Sequence, residues 1–222
     1  MKNWDTFTNE HSDVKLSDPI SEFIVKKLGS CLEKFFNPNT TVGQRTELIK
    51  CELCQLGHQK LDGKKGFKVY ANRLPKDCPN VLANKCKNRE WLYDLHWYTE
   101  NKGKKSGYQP TSLPLVVECE WGMKRRGDTT GKPYSAIKYD FQKLLVTNAE
   151  LRLMIFKITG GKNHKKNSDL DKYFDKAIKS YRHLKKNSKF LFIAFDESAR
   201  KIQARGFHFV EKPKAKKRMD AN

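Results

Sequence analysis

The sequence predicts one α/β (α+β) domain in which a mixed central sheet is flanked by helices. Residues 113–121, Leu-Pro-Leu-Val-Val-Glu-Cys-Glu-Trp, form an apolar, β-branched run without helical periodicity, which is typical of a buried strand. Elsewhere, stretches with apolar residues at helical spacing alternate with strand-like runs in the order ααβββαβαββ. Helices interleaved with strands in this way favour a mixed sheet with helices packed on it.

Two N-terminal helices are predicted from their caps. Asp18 and Pro19 are a typical N-cap and first helical residue, and an apolar stripe follows them. Thr41 and Gln44 match a capping box that opens the second helix. Glu52 falls inside the apolar stripe of that helix, so it belongs either to a site or to the solvated margin of the stripe, and the margin is favoured.

The remaining elements are assigned from their residue patterns. Strands are predicted at 67–71, 90–98, 113–121 and 151–158, helices at 136–149 and 168–184, and two closing strands at 189–195 and 202–210. Residues 75–87 and 100–106 are predicted to be loops. We expect residues 1–210 to form a single domain with a helical N-terminal extension, and the basic residues 211–222 to form a disordered tail.

Charge is the strongest global feature of the chain. Its 222 residues carry a formal net charge of +20. Repulsion among so many positive side chains destabilises a compact protein, so this excess indicates that the chain binds a polyanionic partner. Nucleic acid is the first candidate, DNA rather than RNA, and an anionic membrane is the second. The apolar runs are too short to cross a bilayer, and the polar N-terminus does not resemble a secretory signal, so we expect a cytoplasmic protein.

The six cysteines are interpreted as reduced thiols and not as a disulfide framework. Cys51, Cys54 and His58, together with Cys78 and Cys86, raise the alternative of a zinc site. However, the first two are predicted to lie within a helix, and the last two are eight residues apart in a loop. Because neither spacing matches a zinc knuckle, free cysteines are favoured.

Acidic residues gather on two predicted strands. Glu118 and Glu120 are two apart on the central strand and share a face, and Asp94 can meet them if its strand pairs with that one. Carboxylate oxygens are the ligands of Mg²⁺ or Mn²⁺, which would acidify a water and neutralise a phosphate. Lys143, on a stripe with Asp140, is predicted near the start of the next helix, where it can stabilise a phosphorane. We therefore predict metal ligands at Asp94, Glu118 and Glu120, with Lys143 as the catalytic cation.

Basic residues are predicted to flank the mouth of this site. Lys124, Arg125 and Arg126 follow the acidic strand directly. Side chains of this kind contact backbone phosphates, which positions a duplex without reading its sequence. We expect these three residues to bind nucleic acid.

The three acidic segments together resemble the PD-(D/E)xK phosphodiesterase superfamily, which has the restriction-endonuclease-like fold. The segments are residues 93–95 (Tyr-Asp-Leu), 117–121 (Val-Glu-Cys-Glu-Trp) and 140–144 (Asp-Phe-Gln-Lys-Leu). The resemblance implies a core of helix, three-stranded meander, helix and strand over roughly residues 41–158. It implies that Asp94 and Glu118 bind the metal.

The resemblance departs from the family pattern at position 120, where glutamate stands in place of the lysine. Some restriction enzymes of the family use a Glu-x-Glu strand, and others carry the lysine on the following helix, which Lys143 matches. An acid from the preceding helix joins the site in some members, a role that Glu52 could fill as an accessory residue.

The expected function is that of a Mg²⁺-dependent nuclease that hydrolyses phosphodiester bonds in DNA, in a defence, restriction or repair setting. The alternative is a non-catalytic nucleic-acid-binding protein on the same scaffold, because the motif lysine is replaced by Glu120. The choice between DNA and RNA, between endonuclease and exonuclease activity, the sequence specificity, the biological pathway and a homodimeric assembly stay open at this point.

Overall fold

The alternation of helices and strands folds into one mixed sheet covered by helices on both faces. The computed structural model describes residues 5–7, 16, 18–61, 63–79, 86–88, 92–103, 107–158 and 164–209. In chain order the elements are β1 (Asp5–Phe7), α1 (Pro19–Gly29), α2 (Leu32–Phe35), α3 (Val42–Leu61), β2 (Phe67–Ala71), β3 (Cys86–Asn88), β4 (Leu95–Gly103), β5 (Gly107–Glu120), α4 (Ser135–Val146), β6 (Leu151–Ile158), α5 (His164–Ser180), β7 (Lys189–Asp196) and β8 (Lys201–His208).

Eight strands of the described chain form a single sheet in the order β1-β8-β7-β6-β5-β4-β2-β3. The three strands β5, β6 and β7 are parallel, and α4 and α5 make the two crossovers between them. By contrast, β2, β4 and β5 are joined as antiparallel neighbours. The sheet is therefore mixed, and its parallel centre is buried as expected for strands covered on both faces.

The two faces of the sheet pack against different helices. Helices α1, α2 and α3 cover one face, with Ile24, Phe35 and Leu53 among the fully buried residues. Helices α4 and α5 cover the other face, where Phe141 and Phe174 have ring centroids 4.7 Å apart. From Val116 onward, the residues of even number on β5 point to this second face, since Val116 belongs to its core and Leu115 and Val117 to the other. Glu118 and Glu120 therefore face α4.

The predicted helix starts are confirmed. The carboxylate of Asp18 accepts a hydrogen bond from the backbone N–H of Ser21 at 2.9 Å, which caps α1. The Thr41 hydroxyl accepts from the Gln44 N–H, and the Gln44 side chain accepts from the Thr41 N–H, so the capping box is complete. The first predicted helix is divided, because α1 ends at Gly29 and a separate short helix α2 follows.

The strands at 67–71 and 151–158 are confirmed with their predicted bounds, but the second predicted strand is displaced. Strand β4 begins at Leu95 and continues to Gly103, so much of the predicted loop at 100–106 is strand. Strand β5 begins at Gly107, and the two strands form one long hairpin. Residues 90 and 91, which were predicted to start the strand, lie outside the described residues, as does the basic tail 211–222.

Two strands of three residues were not predicted. Strand β1 pairs with β8, whereas β3 pairs with β2 and begins at the end of the predicted loop at 75–87. Runs this short carry no readable period, so only their neighbours in the sheet define them. None of the helices in the described part of the chain has the length and apolar content needed to cross a membrane.

The prediction that all six cysteines are free thiols is wrong for four of them in this structure. Cys51 is joined to Cys78 and Cys54 to Cys86, with Cα atoms 6.1 Å and 6.6 Å apart. The segment that follows β2 packs back on α3, and this packing brings together cysteines that are 27 and 32 residues apart. Cys31 and Cys119 are free.

Candidate active site

The register between β4 and β5 brings Asp94 to the acidic strand. Leu95 pairs with Val117 in antiparallel register, so Asp94, one residue earlier, comes opposite Glu118. Asp94 was predicted to lie in mid-strand, but it precedes β4. Its carboxylate accepts a hydrogen bond from the backbone N–H of Cys119 at 2.9 Å, which fixes it against the end of β5.

Glu118 is the buried acid of the site. The residue is 2% exposed, and its Oε1 lies 2.9 Å from the Nζ of Lys143. Burial raises the pKa of the Glu118 carboxyl to about 8, the charge of Asp94 adds to this, and Lys143 opposes it. A carboxyl group with such a pKa is held near the point of ionisation at neutral pH, which is typical of a functional site.

Lys143, on helix α4, bridges two acids, Glu118 of β5 and Asp140 of its own helix. Its Nζ lies 2.9 Å from Glu118 Oε1 and 2.9 Å from Asp140 Oδ1. The lysine lies in the last turn of α4, not near its start as predicted. Burial lowers the pKa of Lys143, but the bonds to Glu118 and Asp140 outweigh it, and the pKa is raised. The ammonium group therefore stays charged beside the buried carboxyl of Glu118 and the partly buried carboxylate of Asp140.

Glu120 and Asp140 form a second acidic pair beside Glu118. The Oε1 of Glu120 accepts a hydrogen bond from the backbone N–H of Gly122 at 2.5 Å. Burial raises the pKa of Glu120, and the charge of Asp140 and a hydrogen bond shared with its carboxyl raise it further. Because like charges in contact repel, the carboxylate of Asp140 favours the protonated form of Glu120.

Two residues of the cluster were not predicted as site residues. Asp140 lies three residues before Lys143 on α4, and this spacing was the only sequence signal for it. Lys50 of α3 is 2% exposed; its Nζ donates to the backbone and side-chain oxygens of Asn72 and lies 3.9 Å from Asp94 Oδ1. The sequence signal for Lys50 is its spacing, because a residue three positions before the core residue Leu53 lies on the same face of the helix and is buried with it.

Glu52 is placed elsewhere. Its carboxylate lies 2.9 Å from Lys27 Nζ and 3.7 Å from Lys34 Nζ, where it ties α3 to α1 and α2. The contacts of the described residues thus join it to these lysines and not to the acids at the end of β5. Glu52 is at the solvated margin of its stripe, as favoured from the sequence, and the accessory role has no geometric support.

The loop between β5 and α4 carries the predicted basic residues beside an open cleft of about 600 Å³. Lys124, Arg125 and Arg126 are exposed. The guanidinium of Arg125 lies 3.8 Å from the ring centroid of Tyr139. The cleft is lined by Arg125, Arg126, Asp128, Lys132, Lys138, Tyr139 and Tyr173, among others. Since α4 carries both Tyr139 and Lys143, one helix joins the basic cleft to the acidic cluster.

The buried carboxyl of Glu118 predicts that stability depends on pH. The unfolded carboxyl ionises near its ordinary value of 4.5, whereas in the folded chain its pKa is about 8. Between these values the folded state keeps a proton that the unfolded state has lost, so the free energy of unfolding falls as pH rises from about 4.5 to about 8. Glu118→Gln cannot ionise, and we expect its stability relative to wild type to rise through this window by up to a few kcal/mol.

Urea unfolding in EDTA at about pH 5, 7 and 8.5 measures this difference. Glu150→Gln, the same substitution at an exposed position, is the matched control. If Glu118→Gln and wild type lost stability in parallel across the window, the carboxyl would not be protonated in the folded chain, and the prediction would be wrong.

No protein-family model, curated protein or solved structure matches this chain. What the chain can do chemically is therefore argued from its own residues. These are an acidic cluster at the ends of two adjacent strands, a lysine that bridges it, and a basic cleft on the same helix.

Proposed function

We propose that this protein is a Mg²⁺-dependent or Mn²⁺-dependent nuclease that hydrolyses phosphodiester bonds in DNA. The observation that carries the proposal is the meeting of Asp94, Glu118, Glu120 and Lys143 at the ends of β4 and β5. A buried carboxylate is costly, and three acids in one place are costlier, so such a cluster is retained where a cation uses it. Oxygen ligands of this kind fit Mg²⁺ or Mn²⁺.

The residues divide into groups with separate roles. Asp94 and Glu118 would hold the metal, and a bound metal would neutralise the phosphate and lower the pKa of a water. Glu120, whose pKa is raised by burial and by the charge of Asp140, would accept the proton that the water loses. Lys143 would turn from Glu118 to the phosphate and stabilise the negative charge that develops there.

The order of elements around the site supports a restriction-endonuclease-like core. Helix α3, the antiparallel strands β2, β4 and β5, helix α4 and strand β6 follow one another as helix, meander, helix and strand. The short strand β3 comes between β2 and β4 in the chain, but in the sheet it lies outside β2, at the edge. This order agrees with the core that the resemblance to the PD-(D/E)xK superfamily implies.

One observation favours the alternative of a non-catalytic nucleic-acid-binding protein. The Nζ of Lys143 lies 2.9 Å from both Glu118 and Asp140, so a cation of the chain itself already offsets negative charge in the cluster. In that alternative the acids only stabilise the fold, and the protein binds nucleic acid through its net charge of +20 and the basic cleft. The two candidates share a binding surface and differ only in chemistry.

Cleavage of supercoiled plasmid and of linear duplex DNA, with Mg²⁺ or Mn²⁺ and with EDTA, tests the proposal. We expect strand cleavage that requires the metal and stops in EDTA, and the plasmid distinguishes internal from terminal cleavage. An RNA of the same sequence tests the preference for DNA. Tight DNA binding without cleavage in either metal would favour the non-catalytic alternative.

The basic loop predicts a salt effect that is separate from chemistry. Arg125→Ala together with Arg126→Ala should weaken DNA binding for all sequences alike, because contacts with phosphates do not read bases. Each lost phosphate contact reduces the slope of log K against log salt by about 0.9, so we expect a flattening of roughly one to two. Fluorescence anisotropy over a salt series measures the slope.

The matched control for this double variant is Lys64→Ala together with Lys65→Ala. These exposed lysines lie in the turn before β2, and Phe67 pairs with Thr99 on β4, several residues away from Asp94. An equal loss of slope in both double variants would mean that the charge acts diffusely, and the assignment of the basic loop would be wrong.

A further inference from the structure

Four cysteines and a histidine converge on one side of α3, away from the acidic cluster. The helix carries Cys51, Cys54 and His58 at positions i, i+3 and i+7. Cys78 follows β2, and Cys86 begins β3. The packing of these segments brings each of the last two cysteines to within 7 Å, between Cα atoms, of a cysteine on α3. Neither the proposed nuclease chemistry nor the basic cleft uses this cluster.

The ligand atoms of Cys54, His58 and Cys86 all lie within 4.8 Å of one another. Zinc binds sulfur at about 2.3 Å and imidazole nitrogen at about 2.0–2.1 Å, so ligands around a tetrahedral ion are about 3.5–3.8 Å apart. Small rotations of the side chains therefore suffice to place an ion between them. A disulfide between Cys54 and Cys86 gains nothing from the neighbouring imidazole, whereas a zinc ion would use it as a ligand.

The surroundings suit a closed structural site. Cys54 is fully buried, Cys86 is 3% exposed and His58 is 8% exposed. The ring of His58 lies edge-on to Phe67, with centroids 5.4 Å apart, which fixes its orientation. Thiolate and imidazole together select zinc over the hard cations that carboxylates bind. We propose that the reduced chain binds one zinc ion through Cys54, His58, Cys86 and Cys78.

Helix geometry decides the fourth ligand between Cys51 and Cys78. Cys51 and His58 are seven residues apart on α3, which is about 10.5 Å along the helix axis. This separation is too large for both side chains to bind the same ion at zinc–ligand distances of about 2.0–2.3 Å. Cys54 lies within one turn of His58 and has no such difficulty. The sulfur of Cys78 is bonded to that of Cys51 in the disulfide and so starts equally far from His58. Cys78 lies outside the helix, however, and once the disulfide is reduced its own backbone can shift toward the ion, which the helix does not allow to Cys51.

The zinc form and the disulfide form exclude each other, because a sulfur in a disulfide is not a thiolate ligand. A phosphine reductant gives each disulfide two electrons, is itself oxidised to the phosphine oxide, and leaves two thiols. Cys54, Cys78 and Cys86 then each lose a proton when they bind the metal. The ion would join α3 to the segment after β2, and thus would stabilise the pairing of Lys50 with Asn72.

Purification of the full chain in a phosphine reductant, followed by metal analysis and thiol titration in denaturant, tests the proposal. We expect about one zinc ion per chain and all six cysteines titrating as thiols. After exchange with Co²⁺, we expect the charge-transfer and visible bands of a tetrahedral cobalt site with thiolate ligands. A chain that binds neither added zinc nor cobalt when fully reduced would overturn the proposal. So would a chain that keeps both disulfides in the reductant and titrates only Cys31 and Cys119.

Single substitutions test the ligand set. Cys54→Ser, Cys78→Ser and His58→Gln should each weaken zinc binding by about tenfold or more in competition with a chelator. Cys31→Ser is the matched control, and Cys51→Ser should also retain the ion. Far-ultraviolet circular dichroism of every variant with and without zinc separates lost binding from lost folding. Loss of zinc in Cys51→Ser with retention in His58→Gln would overturn the assignment of the ligands.

Discussion

Asp94→Asn and Glu118→Gln are each expected to abolish metal-dependent cleavage of DNA while leaving the fold intact. Each substitution replaces a carboxylate by an amide of nearly the same shape, so packing is kept and a metal ligand of full charge is lost. A single lost electrostatic contact at a reacting centre already costs on the order of 10² to 10³ in rate. Loss of the metal removes more, and we expect a fall on the order of 10³ or greater.

The measurement is a single-turnover cleavage rate in Mg²⁺ and in Mn²⁺, with binding followed separately. Asp94→Asn keeps a side-chain oxygen that can accept from the Cys119 N–H, so the end of β5 should stay in place. Asp169→Asn, at an exposed position of α5, is the matched control. If both site variants cut as fast as the control, the acids at the ends of β4 and β5 would not form the active site.

The placement of the acids could be predicted from the sequence, because the face to which a strand residue points depends only on its position along that strand. Glu118 and Glu120 share a face of β5 by the two-residue period of a strand, and both point to α4 as expected. The meeting of Asp94 with Glu118 required only that β4 and β5 pair with a register that the apolar residues set. The caps of α1 and α3 were readable for the same reason, since a cap involves residues three apart.

The rest of the site could not be predicted because it depends on contacts between distant segments. Lys50 reaches Asp94 only because α3 packs beside the end of β4. Glu52, two residues later, points to α1 and α2 and is paired there. The sequence places Lys143 wrongly because it predicts a helix that runs to residue 149, whereas α4 ends at Val146 and leaves Lys143 in its last turn. The start of α4 follows Tyr134, a fully buried residue with a φ of 61°. A bulky residue in that conformation is held by tertiary packing and not by local preference.

The cysteine cluster shows the same limit. The spacing of Cys78 and Cys86 in sequence matches no zinc motif, so the sequence favoured free thiols. Both residues nevertheless lie against α3, Cys78 next to Cys51 and Cys86 next to Cys54. Three-dimensional packing, and not spacing along the chain, assembles this set of ligands.

Lys143 is the cation that accompanies the acids at this end of the sheet. Its ammonium group lies 2.9 Å from both Glu118 and Asp140, where it offsets negative charge in the cluster. Binding of Mg²⁺ would take over the role of compensating Glu118 and would release Lys143. The lysine side chain is 37% exposed, so it can turn outward to a phosphate. The same residue would thus stabilise the acidic cluster before the metal binds and act in the reaction afterwards.

Lys143→Met is therefore expected to slow cleavage by a factor on the order of 10² to 10³ while leaving affinity for DNA nearly unchanged. Methionine keeps most of the length and apolar volume of the lysine stem, so α4 should pack as before. Removal of the cation leaves Glu118 and Asp140 without their bridging charge, and this should destabilise the metal-free protein. Added Mg²⁺ should restore part of that stability, because the metal supplies the missing positive charge.

Single-turnover rates at saturating protein, together with thermal unfolding with and without Mg²⁺, test these expectations. Lys138→Met, on the same helix but lining the basic cleft, is the matched control and should alter binding more than rate. A Lys143→Met variant that binds DNA weakly but cuts at the wild-type single-turnover rate would make Lys143 a phosphate contact outside the reaction. Such a result, combined with inactivity of the Asp94 and Glu118 variants, would transfer the charge-stabilising role to another cation, of which Lys50 lies nearest to Asp94 among the ion pairs of the described residues.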